Sequence, residues 1–279
     1  MASERAALLF FRDRLRALGT PQRAGSEKAY LRSNLRFYGT AVPDIRRVAA
    51  EFARAHPDLG RDDLRRIVEA AYATDVHELR SVAIALLDRK KSLLGERDLS
   101  WLLGLVDASN TWAHVDWLAV AVIGDIVGRD PSSLRRLPRW AKSRNFWVRR
   151  TALLAQHDML KQGGGDFRLF AGLAAGMLDE REFFIRKAIG WVLREVSKKR
   201  ATLVYEFLRD QRDRVSRLTL QEGAKYLSAS QRARLGLARE AAWSRAERPK
   251  ELGHDRQDIV HSDEGDDTDS TSCTLRDGT

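Results

Sequence analysis

The residues best suited to chemistry lie where a polar group interrupts an otherwise apolar helical pattern. Asp116 is the clearest. Between Trp112 and Val127 apolar residues cover nearly the whole circumference of a helix, yet this carboxylate projects among them, about 40° from Trp112. An ionised carboxylate in such surroundings is costly unless it is paired or serves a purpose. Three readings follow: a carboxylate kept there for a function, half of a buried ion pair with an arginine from a neighbouring helix, or a residue whose helix face differs from the one the pattern suggests.

A second group lies in residues 181–199, REFFIRKAIGWVLREVSKK. Phe184, Ile185, Ala188, Ile189, Val192, Leu193 and Val196 recur at helical spacing and mark one buried stripe. At about 100° per residue, Lys187, Trp191, Arg194 and Lys198 fall within one narrow arc beside it. Three cations around an indole suit a nucleic-acid backbone with a flat or cationic group against the ring. The alternative is a solvated basic face whose tryptophan packs at the edge of the stripe. Phe146-Trp147-Val148-Arg149-Arg150 opens another helix with two arginines in its first turn. Cations there oppose the macrodipole, but the free N–H groups of the turn and the guanidinium groups together suit a phosphate. The ordinary alternative has one arginine at the surface and the other paired with an acid. Tyr30 sits among Lys28, Arg32 and Arg36, and its spacing fits core or groove equally.

The elements that position these residues read as helix after helix. Ser3 to Leu18 is amphipathic and stops at Thr20-Pro21; Ser26 to Phe37 follows, then Pro43 opens a helix to about His56. Helices are expected over Arg61 to Ala73, Val76 to Arg89, Glu96 to Asp107, Trp112 to Val127, Pro131 to Ser143, Phe146 to Lys161 and Phe167 to Leu178. The helix from 182 and two more, near 201–213 and 216–227, complete the body. No alternating run calls for a strand. Short links and helical pairs of about 35 to 45 residues predict an all-α fold, an α-solenoid of HEAT-like repeats, although identity between the pairs is weak.

Composition agrees. An apolar content of 43% supports a substantial core, and only six prolines interrupt it. Residues 1–249 hold 46 Lys/Arg against 30 Asp/Glu, a net of +16, whereas residues 250–279 carry −6. A body this basic is expected to meet a polyanion. Residues 1–240 read as one folded domain and 241–279 as an acidic, disordered tail, there to solubilise or to compete for the basic groove. The one cysteine, Cys273, lies in that tail, so no intramolecular disulfide or cysteine zinc site is expected. No signal peptide and no run of roughly 18 apolar residues is evident. A cytoplasmic monomer without metal, cofactor or membrane is the expectation.

Four stretches, YLRSNLRFYGTAVPDIRR (30–47), NTWAHVDWLAVAVIGDI (110–126), RNFWVRRTALLAQ (144–156) and EFFIRKAIGWVLREVSK (182–198), resemble in order the AlkD-type DNA alkylation repair glycosylases. The resemblance spans about residues 5–230. It implies an all-α superhelix with a concave basic face for duplex DNA, and excision of cationic N3- or N7-alkylated purines without a flipped-base pocket. By motif, the family's catalytic group falls on Trp112, Asp116 and Trp191, its DNA-contacting arginines on Arg150 and Arg194, and its groove-facing tyrosine on Tyr30. Arg149 and Lys187, beside these, complete the expected DNA contacts. Two departures stand out: Thr111 replaces a tryptophan that often precedes the catalytic one, and LTLQEGA (218–224) matches a more basic segment loosely. A groove that reads backbone rather than base also implies tolerance of bulky adducts.

Overall fold

Side-chain caps start many of the helices. In the computed structural model, which describes residues 3–237, Ser3, Thr20, Thr111, Asn145, Asp166, Glu182, Ser216 and Ser228 each accept a first-turn N–H. Each satisfies a donor that a helix leaves unpaired. In order the helices are α1 (Glu4–Leu18), α2 (Pro21–Leu31), α3 (Val42–Ala55), α4 (Arg61–Tyr72), α5 (His77–Arg89), α6 (Leu99–Asp107), α7 (Trp112–Trp117) and α8 (Gly124–Arg129). They continue with α9 (Leu137–Trp140), α10 (Phe146–Leu154), α11 (His157–Lys161), α12 (Phe167–Ala175), α13 (Phe183–Ser197), α14 (Ala201–Asp210), α15 (Arg217–Gly223) and α16 (Ala229–Arg234). Among the described residues the only β pairing is one bridge between Arg36 and Val76. The chain is an all-α helical-repeat solenoid, as the sequence predicts.

Its period is visible in the starts of six helices, at Val42, His77, Trp112, Phe146, Phe183 and Arg217, each 34 to 37 residues after the last. The fourth residue of three of them is an arginine with the same task. Arg80, Arg149 and Arg186 each donate to a carbonyl six residues upstream, on Thr74, Ser143 and Glu180, at 3.0, 2.8 and 2.8 Å. Ties between successive repeats carry the same period, as in Arg36 on Asp75 and Asn145 on Asp107, 39 and 38 residues apart. Such contacts join only neighbours, so the core is continuous along the stack, from Phe11 and Phe52 through Leu86 and Val120 to Leu193 and Leu208.

Several boundaries differ from expectation, among them Pro131 to Ser143, which is a 3-10 stretch, Pro131–Arg136, followed by the short α9. Thr20-Pro21 ends α1 but also begins α2, because Thr20 accepts from Arg23 N–H and Pro21 occupies the first turn, where its missing N–H costs nothing. That helix stops at Arg32, whose φ of 48° is left-handed, so 32–37 are not helical. There Arg36 N–H donates to Asp75 O at 2.7 Å, and His77 N–H to Arg36 O at 2.9 Å. The stretch from Phe146 to Lys161 breaks into α10 and α11 at Ala155-Gln156. Between α7 and α8 the rod continues as a π-helical stretch, Leu118–Ile123, immediately after Asp116-Trp117. The expected tail, 241–279 with Cys273, lies outside the described residues.

Loop 38–40 is fixed by a buried acid. The Glu78 carboxylate accepts from Tyr38 N–H at 2.9 Å, Gly39 N–H at 2.6 Å and Thr40 N–H at 3.3 Å, and Thr40 Oγ1 donates to Leu15 O at 2.7 Å. Gly39 has φ +81°, and a Cβ there would stand 2.1 Å from Thr20 O. Gly39→Ala is therefore expected to lower stability by about 3 kcal/mol or more, from strain plus clash. Gly25 in α2 has nothing within 4 Å of an added Cβ, and Gly25→Ala is expected to raise stability by roughly 0.5–1 kcal/mol. Urea unfolding of both variants checks the pair.

Candidate active site

Asp116 and Arg150 meet in the interior. Arg150 Nε donates to Asp116 Oδ1 at 2.6 Å and Nη2 to Oδ2 at 2.7 Å, a bidentate bridge between α7 and α10. The two residues are 2% and 1% exposed. Arg150 Nη1 donates to the Phe184 carbonyl in the first turn of α13, and the guanidinium lies 5.9 Å from the Phe184 ring centroid. One guanidinium thus joins three helices. The buried-pair reading of Asp116 is the geometry found, and Arg150, expected on a phosphate, is committed instead to orienting the carboxylate.

Trp112 stands one turn before Asp116 in the first turn of α7, which the buried Thr111 caps, and is only partly buried. The Tyr30 ring meets the indole edge-on, with centroids 5.9 Å apart and an interplanar angle of 86°. Burial pushes the Tyr30 hydroxyl above its ordinary pKa, keeping it neutral. Trp191 is buried on α13 against His157, centroids 4.5 Å apart. No hydrogen bond or ring contact joins Trp191 to Trp112 or Asp116 among the described residues. Their helices, α13 and α7, both pack on α10.

The cations expected around Trp191 are present, but each has an acid. Lys187 Nζ donates to Glu222 Oε1 and Arg194 Nη1 to Glu222 Oε2, both at 2.7 Å. Lys198 Nζ donates to Glu195 Oε2 at 2.7 Å, and Arg194 Nε approaches Glu195 Oε1 at 3.4 Å. Burial raises the Glu195 pKa, but Lys198, Arg194 and His157 outweigh it and hold the carboxyl below the usual range. Arg149 forms a two-pronged bridge to Glu180, at 2.9 and 2.6 Å, and Nη1 reaches the carbonyls of Ser143 and Arg144. It clamps the loops before α10 and α13 rather than projecting toward a ligand.

Two features escaped sequence reading. His77 and His114 stack at 4.4 Å between Phe37 and Tyr72, with Ser81 Oγ 3.0 Å from His114 Nε2. Burial pushes His77 down to about 3 and His114, on Trp112's own helix, well below its ordinary value, so both stay neutral. Glu222, the acid between Lys187 and Arg194, sat in a segment read only as a loose motif match. Its separation of 35 residues from Lys187, one repeat, was the available signal.

The chain belongs to the DNA alkylation repair enzyme family, whose profile matches residues 11–227. No curated protein matches significantly. A solved structure described as a predicted DNA alkylation repair enzyme from Enterococcus faecalis is 27% identical, with a TM-score of 0.68 over 75% of this chain and 97% of that one. The smu.31 protein of Streptococcus mutans UA159, 20% identical with a TM-score of 0.51 over 67% and 99% of the two chains, shares the fold. Membership supports a role in repair of alkylated DNA. No helix among the described residues is long and apolar enough to cross a membrane.

Removing one partner of a buried pair leaves an uncompensated charge. Arg150→Met is expected to destabilise the protein by about 3–5 kcal/mol, whereas Arg36→Met, at an exposed bridge to Asp75, is expected to cost about 1 kcal/mol or less. Denaturant midpoints of the two variants decide it.

Proposed function

We propose that this protein is a monofunctional DNA glycosylase of the AlkD type. It hydrolyses the N-glycosidic bond of cationic N3- or N7-alkylated purines in duplex DNA and leaves an abasic site, without a base-flipping pocket. The observation that carries the reading is a carboxylate, Asp116, clamped by Arg150 one turn from a partly buried tryptophan. Binding of a polyanion by itself gives no reason to place a carboxylate one turn from that tryptophan. Cleavage of a cationic nucleoside does.

Alkylation at N3 or N7 gives the purine a positive charge, so it leaves as a neutral base and needs no strong general acid. As the C1′–N bond breaks, its electron pair passes to the base and positive charge develops on the sugar. Asp116 opposes that charge and positions water, whose oxygen bonds to C1′ and whose proton goes to solvent. The faces of Trp112 and Trp191 favour the cationic base and sugar, each by on the order of 1–2 kcal/mol in a partly dry site. Arg150 holds the carboxylate in place, since a ligand free to rotate would lose much of this effect. Tyr30, in edge contact with Trp112, fixes the ring that faces the lesion.

Methylated duplex DNA supplies the test. Free 7-methylguanine, separated by chromatography, is expected to appear faster with the protein than by spontaneous depurination, and the strand is expected to stay whole until alkali is added. Salt-sensitive duplex binding without release would instead support a non-catalytic reader of damaged DNA. Absence of duplex binding would leave only a protein-interaction scaffold.

A further inference from the structure

Glu222, near the end of α15, crosses to α13 and grips the two cations that bracket Trp191. Lys187 lies four residues before the tryptophan and Arg194 three after, and each gives the carboxylate a 2.7 Å hydrogen bond, one to each oxygen. Gly190 admits this approach: a Cβ at that position would fall 2.7 Å from Glu222 Cβ. The trio is not sealed, because the Lys187, Arg194 and Glu222 side chains keep 9%, 16% and 19% of their exposure. Two oxygens bridging an ammonium and a guanidinium form the contact that these groups would make with one backbone phosphate. Around them, Glu195 engages Arg194 and Lys198 and has its pKa lowered, so it stays charged when Glu222 is displaced.

We propose that Glu222 is an internal stand-in for a DNA backbone phosphate. Its carboxylate keeps Lys187 and Arg194 in place beside Trp191 while the groove is empty, and a phosphate takes its position when duplex binds. The exchange rests on the DNA-binding reading above. It makes binding weaker than the two cations alone would give, and it favours ligands that can place an anion beside the indole. Glu222 acts through Lys187 and Arg194, so it is a positioning residue.

The experiment measures affinity for an undamaged duplex, by the full-length wild type and Glu222→Gln, across about 50 to 200 mM salt. The amide keeps the shape and removes the charge. E222Q is expected to bind more tightly, with a log-log salt slope steeper by about 0.9, one phosphate's worth. Its advantage should then shrink roughly three- to fourfold from the low to the high end of that salt range. Equal or weaker binding with an unchanged slope, by a variant with native circular dichroism, overturns the inference and leaves the DNA reading intact. If E222Q does not fold, Glu222→Asp asks the same question, because a carboxylate one methylene short releases at least one cation. Tighter, more salt-sensitive binding is again expected, and unchanged binding overturns the inference. Wild type that shows no salt-sensitive duplex binding overturns the DNA reading as well, and that arm alone reports it.

Discussion

The buried bridge between Asp116 and Arg150 is the constraint on which the rest depends. Taking two charges out of water costs several kcal/mol per ion, and mutual attraction repays that only when geometry is good and the remaining donors are satisfied. Here both conditions hold. The bridge is bidentate, and the third guanidinium nitrogen is used by the Phe184 carbonyl. A hydrophobic pair of equal volume often serves stability as well or better, so stability alone does not account for a charge at this depth. Because the same guanidinium touches α7, α10 and α13, the position of Asp116 and the packing of the helix carrying Trp191 are set together.

Around that bridge the positive charge is arranged with restraint. The body from residue 1 to 249 carries +16, yet Arg149, Arg150, Lys187 and Arg194 each hold an acid. Pairing at partial burial keeps long side chains ordered, which reduces the entropy lost when a ligand arrives. The long-range field of the net charge still steers a polyanion. Tight local pairing and a strongly basic whole are compatible because the first acts over a few ångströms and the second anywhere within the Debye length, about 30 Å at 0.01 M salt.

Much of the architecture was legible. Apolar periodicity located the helices, and the polar break at Asp116 marked the residue whose environment is least ordinary. The misses have physical causes. Thr20-Pro21 reads as a stop, but a proline lacking an N–H is as good a start, and only the Arg23 amide on Thr20 decides between them. The π-helical stretch Leu118–Ile123 leaves no trace in an all-apolar run, since apolar residues occupy every position there and all but Ala121 are buried. Arg150, Lys187 and Arg194 were read from their own helices, which cannot show an acid one repeat away. Asp116, 34 residues from Arg150, and Glu222, 35 from Lys187, become visible as partners only once the repeat length is known.

The central claim is that Asp116 does chemistry in addition to holding α10. It is tested most directly by single-turnover excision from a duplex containing one 7-methylguanine, for wild type and Asp116→Asn, with duplex affinity measured alongside. The account predicts a rate lower by about a hundredfold or more with affinity kept or increased, because the charge that faces the forming cation is gone while the groove remains. An unchanged excision rate in a folded Asp116→Asn protein would contradict it and reduce the bridge to a structural element.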